Sequence, residues 1–200
     1  MNEPKTVSPA DSGLTSLSML DRVRAADDDA WRRLVHLYSP LIFSWCQRSG
    51  LGSDDAADVL QDVWGAVAAH VGRFERTASS GTFRGWLWTI TRNKLRDFHR
   101  GKAGKAAGVG GSAAQQQLAS IPETEPETQD TDAGGLMHRA LELIRGDFEP
   151  RTWQAFWRTA IDGWSAADAA AELKLSVDAV YQAKSRVLRR LREELRGLVH

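Results

Sequence analysis

An all-α protein, made of two small helical domains joined by a flexible acidic linker, is the fold class this sequence predicts. Three observations carry it. Apolar residues recur at spacings of three and four, as in Ala56, Val59, Leu60, Val63, Val67 and Val71. No segment alternates apolar and polar residues as a half-buried strand would. The stretch AAGVGGSAAQQQLASIPETEPETQDTDAGG has no helical period, and its Gly, Ala, Gln, Pro and acidic residues suit a linker. So long a structureless run is unusual inside one compact domain. The expected organisation is therefore a disordered tail at 1–13, a domain at 14–104, the linker at 105–135 and a second domain at 136–200.

Each element has its own local signal. A first helix is expected near Leu17 to Ala26, with Leu20 and Val23 on one face. A second starts at Asp28 or Asp29 and carries Trp31, Leu34, Val35 and Tyr38, with Pro40 expected to break or kink it. Leu41, Ile42 and Trp45 continue toward Gly50. Ser53 is expected to cap the next helix, whose first-turn acids suit the helix dipole. Gly81 and Thr82 introduce a further helical segment. In the second domain Pro150 suits a first helical turn, and Gly163 ends the helix that follows. Ser165, with Asp168 three residues on, caps an alanine-rich helix. Lys174, Leu175 and Ser176 form a tight turn, and Ser176 caps the last helix.

Composition narrows the function. The chain has 200 residues, 42% of them hydrophobic, and a formal net charge of zero. No run approaches the ~20 apolar residues of a membrane span, and the polar start MNEPKTVSPADSG lacks a signal peptide's apolar stretch. A cytoplasmic protein without membrane insertion is expected. Cys46 is the single cysteine, which excludes an intrachain disulfide and a cysteine zinc site. There is no phosphate loop, nucleophile elbow or zinc spacing, so no enzyme activity, cofactor or metal is expected. Asp54, Asp58 and Asp62 share a helix face, but a metal site in a bundle wants carboxylates on facing helices and a Glu-x-x-His pair.

The neutral average conceals a pattern. Arg84, Arg92, Lys94, Arg96, Arg100, Lys102 and Lys105 stand against Asp97 alone between residues 84 and 105. The acids Asp54, Asp55, Asp58 and Asp62 cluster before them, and Glu123, Glu125, Glu127, Asp130 and Asp132 after them. Separate basic and acidic segments suit more than one partner. In TFRGWLWTITRNKLRDFHR, Phe83, Trp86, Leu87 and Ile90 fall at core spacing. Trp88 could face the core or, beside Arg84 and Arg92, stack on single-stranded DNA bases while Arg and Lys meet phosphates.

The C-terminal segment SAADAAAELKLSVDAVYQAKSRVLRRLREEL has the form of a helix-turn-helix. At 100° per residue, Val180, Ala183, Val187, Leu191, Leu195 and Leu198 form one stripe. Asp178, Gln182, Ser185, Arg189, Arg192 and Arg196 lie opposite, flanked by Tyr181 and Arg186. Hydrogen bonders near the N-terminus and arginines further along suit base edges and phosphates respectively.

The order DDDAWRRLVHLYSP, SDDAADVLQDVWGAV, GTFRGWLWTITRNKLRDFHR, linker and helix-turn-helix resembles the extracytoplasmic-function sigma factors of the sigma-70 family. The resemblance spans roughly residues 14–100 and 136–198. It implies a protein that binds core RNA polymerase and gives it promoter specificity. Region 2, in residues 14–104, would recognise and melt the −10 element, and region 4, in residues 136–200, would read the −35 element. By the same resemblance Asp58, Gln61, Asp62 and Trp64 dock on the β′ clamp helices. Ser79, Ser80 and Thr82 belong to the loop that takes a flipped −10 base, and Arg84, Trp88, Arg92, Asn93, Lys94 and Arg96 to the helix on that DNA. Ser176, Asp178, Tyr181, Gln182, Ser185, Arg186, Arg189 and Arg190 are the expected −35 residues. The β flap of the polymerase is a further implied contact, and such proteins are often held off by an anti-sigma factor. Tyr181, Gln182 and Ala183 depart from the family's common basic pattern, so promoter preference does not carry over. A free-standing helix-turn-helix regulator is the alternative, but it leaves SDDAADVLQDVW and the basic segment without a task.

Overall fold

A computed structural model of the protein describes residues 18–74, 82–105, 119–126, 130–196 and 198. Among them the regular structure is helical: α1 (Met19–Arg24), α2 (Asp28–Arg48), α3 (Ser53–His70), α4 (Phe83–Lys105), α5 (Asp130–Ile144), α6 (Pro150–Ala160), α7 (Ala166–Leu173) and α8 (Val177–Glu194). The tail at 1–13, Ser79 and Ser80, and most of the expected linker lie outside the described residues.

Local chemistry accounts for most helix starts. Ser18 and Asp21 form a reciprocal capping box on α1. Asp27, one residue before the expected cap, accepts from the Asp29 and Ala30 amides and starts α2. Gly52 precedes α3, which puts Ser53 inside the helix rather than at its cap. Pro150 occupies the first turn of α6, and Gly163 lies beyond its end at φ +76°.

Pro40, expected to break or kink α2, does not break it; the helix runs through from Asp28 to Arg48. An interior proline costs a helix ~3 kcal/mol. Around it Leu37, Tyr38, Leu41, Ile42 and Trp45 are all buried, and each buried side chain of this kind contributes about 1.5–3 kcal/mol. Packing therefore outweighs the lost hydrogen bond.

Helices α2, α3 and α4 pack together around an aromatic core. Tyr38 meets Phe83 edge-on at 5.3 Å, and Trp45 meets Trp88 at the same centroid distance. Phe74 and Trp86 extend the cluster around Phe83. Burial pushes the thiol of Cys46, on α2, up to about 12, so it is a packing residue and not a reactive one.

The second half does not stand apart from the first. One contiguous core runs from Met19 through Trp45 and Leu95 to Ile144, Val187 and Leu198. Tyr38 Oη donates to the Leu198 carbonyl at 3.3 Å, and Arg139 Nε donates to the Leu37 carbonyl at 3.0 Å. The Glu194 carboxylate, 4% exposed, bonds Arg33 at 3.0 Å and Arg190 at 2.7 Å. Helix α5 starts at Asp130, inside the stretch assigned to the linker. A smaller cluster of Ala155, Ala169, Ala170, Val180 and Ala183 holds α6, α7 and α8 together.

Candidate nucleic-acid and polymerase interfaces

Helix α8 has the layout its periodicity predicts. Val180, Ala183, Val187, Leu191, Leu195 and Leu198 are all buried. Asp178, Tyr181, Gln182, Ser185, Arg186 and Arg189 are exposed, Tyr181 to 60%. The turn before the helix is built for a sharp reversal. Lys174 closes α7 in the left-handed region at φ 53°, and the Ser176 hydroxyl accepts from the Ala179 amide at 3.1 Å. Ser165 likewise accepts from the Asp168 amide at 3.1 Å. Both α7 and α8 thus start on a serine cap. Arg190 departs from the outward row: it is half-buried and bonds Asp147 at 2.8 Å as well as Glu194. Its charge is spent inside the chain, a role that periodicity alone does not show.

Helix α4 presents two kinds of face. Thr82 accepts from the Gly85 amide at 3.1 Å and caps the first turn. Phe83, Leu87, Trp88, Thr91, Leu95 and His99 are buried. The structure therefore answers the question the sequence left open for Trp88. Its ring, 2% exposed and edge-on to Trp45, belongs to the core and offers no face to a base. Arg84, Arg92 and Arg96 are half-buried, and Asn93 is exposed. By helical geometry Arg92, Asn93 and Arg96 share one side, while Lys94 lies well round the helix from them.

The basic side of α4 is occupied by part of the expected linker. Arg84 pairs with the Glu125 carboxylate. Arg92 Nη1 donates to the Glu123 carbonyl at 2.6 Å, and Arg96 Nη2 reaches the Glu123 carboxylate at 3.4 Å. Ile121 is 4% exposed and joins the main core. Burial pushes the Glu125 carboxyl above the ordinary carboxylate range, opposed by the Arg84 charge. Sequence reasoning missed this contact. The pattern Ile-Pro-Glu-Thr-Glu, an apolar anchor within an acidic run opposite a basic helix, was the available signal.

Helix α3 turns Asp54, Asp58, Gln61 and Asp62 to solvent. Trp64 differs from these neighbours: it is 9% exposed, edge-on to Trp31, and its indole N–H donates to Ser39 Oγ at 3.0 Å. Lys102 reaches across from α4 to Asp55 at 2.7 Å. Among the described residues, no group of three or more His, Cys, Asp or Glu could hold a metal ion. No described helix is long and apolar enough to cross a membrane.

The candidate surfaces are thus a helix-turn-helix with serine caps, a basic helix and an acidic one. Residues 34–104 match the family described as Sigma-70 region 2. The RNA polymerase sigma factor CnrH of Cupriavidus metallidurans is 28% identical over 167 residues, covering 80% of this chain and 86% of CnrH. The ECF RNA polymerase sigma factor SigD of Mycobacterium tuberculosis is 26% identical over 189 residues, covering 86% of this chain and 79% of SigD. Among solved structures, CnrH in complex with the cytosolic domain of CnrY covers 86% of this chain and 92% of that chain, at 25% identity and a TM-score of 0.37. Residues 34–104 thus carry a Sigma-70 region 2 domain, and over most of its length the chain is similar to ECF RNA polymerase sigma factors; its role is that of a sigma factor in transcription initiation.

Proposed function

We propose a division of labour among three helices. The exposed face of α3, with Asp58, Gln61 and Asp62, docks on the β′ clamp helices, and buried Trp64 holds that face in position. Helix α4 and the residues before it, with Ser79, Ser80 and Thr82, take the −10 element: Arg84, Arg92, Asn93 and Arg96 meet its phosphates and sugars, with Lys94 on a separate contact. Trp88 supports this helix from the core. Helix α8 reads the −35 element in the major groove, and Ser176 caps it. Gln182 has the shape to pair with adenine and Arg186 with guanine, and Arg189 supplies phosphate charge. Arg190 fixes α8 against Asp147 and Glu194. The groove on α6 lined by Trp153, Trp157, Arg158 and Leu173, with Ile161 51% exposed at the helix end, is the surface offered to the β flap. An anti-sigma partner would compete for these same surfaces, and the setting is cytoplasmic.

The observation that carries this reading is the outward row of α8. Its apolar stripe is wholly buried, and Tyr181, Gln182, Ser185, Arg186 and Arg189 face solvent. Run-off transcription with core bacterial RNA polymerase on a pool of fragments from the source genome tests it. Specific starts that need the protein support the reading, and aligning them gives both promoter elements. DNA binding without such starts would point to a regulator that works alone.

A further inference from the structure

The linker segment on α4 goes beyond any promoter contact. Three features hold it there. Ile121 is buried in the main core and fixes the segment's start. Glu123 lies along Arg92 and Arg96 through both its carbonyl and its carboxylate. Glu125 sits over the first turn of α4, paired with Arg84, its Oε2 in ordinary contact range of where a Cβ on Gly85 would stand, at 3.8 Å. A carboxylate at that end of a helix is also favoured by the helix dipole. The segment thus meets the three arginines that region 2 would turn toward DNA phosphates.

We infer, on the reading of α4 as the −10 helix, that residues 121–125 are an intramolecular ligand for its DNA face. In the free protein the acidic segment fills the Arg84, Arg92 and Arg96 seat, and single-stranded nucleic acid must displace it. The fit is incomplete in a way that favours displacement. Arg84 Nη2 and Arg92 Nε are buried with no hydrogen-bond partner among the described residues. A phosphodiester chain carries more acceptors than two glutamates and can satisfy what the segment leaves bare. The masking is one-sided. Tyr181, Gln182, Ser185, Arg186 and Arg189 on α8 stay exposed while α4 is covered. The free protein should therefore bind duplex through α8 while its single-strand site is closed.

The test uses the full chain and a fluorescein-labelled single-stranded oligodeoxynucleotide. The Glu123→Ala/Glu125→Ala variant is expected to bind it about tenfold more tightly than the wild type at low salt, since a site open for only a fraction of the time loses affinity by that fraction. Duplex binding through α8 should not change. The gap should narrow as salt rises and screens the pairing. Adding Arg92→Ala/Arg96→Ala to the glutamate variant should abolish the gain. A second measurement leaves both glutamates in place. Thr124→Cys carries a spin label, specifically, because Cys46 is buried and its thiol is pushed up to about 12. The label should be immobile in the free protein and become mobile when the oligonucleotide saturates. Equal oligonucleotide affinity for wild type and glutamate variant would overturn this inference and leave the −10 assignment standing. A label that stays immobile on a saturated complex would do the same. No binding by either protein, with the label immobile, would overturn both the inference and the assignment of α4.

Discussion

Glu194 gives a direct measure of whether the two halves of the chain share one core in solution. Its carboxylate is 4% exposed at the end of α8, and it bonds Arg33 on α2 at 3.0 Å and Arg190 at 2.7 Å. Burial alone would lower the Arg33 pKa, but Glu194, then Asp29, hold it above its ordinary value. Breaking a buried ion pair by removing one charge costs about 3–5 kcal/mol. The partners here are less deeply placed, with side chains 20% and 29% exposed, and each keeps a second carboxylate, Asp29 or Asp147, at 2.8 Å. Glu194→Gln should therefore cost about 2 kcal/mol, below that range. For a chain of this size the loss lowers Tm by roughly 4–8 °C. Urea and thermal unfolding followed by circular dichroism measure it. A double-mutant cycle with Arg33→Met should show a coupling of at least about 1 kcal/mol. A Glu194→Gln change within about 0.5 kcal/mol, as for a surface site, with no coupling to Arg33, would refute the packing of α8 on α2.

Four further outcomes follow from single residues. Lys174→Gly should raise stability by roughly 0.5–1 kcal/mol, because Lys174 sits at φ 53° where a side chain is strained and glycine is not; chemical denaturation checks the sign. His99 is held below its ordinary pKa first by burial and then by the Lys102 charge, with Asp55 opposing. The unfolded chain therefore takes up the proton first, so stability is complete above pH ~6.5 and falls as pH drops through that value. Urea midpoints between pH 5.5 and 7.5 should slope less in His99→Leu. Arg186→Ala should weaken −35 duplex binding by about 1–3 kcal/mol with little effect on folding. Arg190→Ala should do the reverse, since Asp147 and Glu194 hold that side chain, and binding isotherms with melting curves on both variants separate the two roles.

The helix-turn-helix was legible, Arg190 apart, because its signals are local. Serine caps, the tight turn at Lys174, Leu175 and Ser176 and a stripe of period 3.6 are encoded within a few positions of where they act. Pro40 was misleading for the opposite reason: its local penalty is real, but Leu37, Tyr38, Leu41, Ile42 and Trp45 bury enough surface to override it. Trp88 could not be placed by spacing, since an aromatic beside arginines fits a core and a stacking platform equally well; only Trp45 across the core decides.

The sequence by itself determined the all-helical class, the order of the elements, the outward row of α8 and the family resemblance. Those properties depend on near-neighbour geometry and on side-chain period. The tertiary structure alone decided that Trp64 and Trp88 are core residues and that Arg190 is spent on Asp147 and Glu194. It alone seated Glu123 and Glu125 on the basic face of α4 and joined both halves through Leu198, Glu194 and Arg139. Such pairings join residues far apart in the chain, and one exposed-looking charge resembles another until a partner is brought beside it.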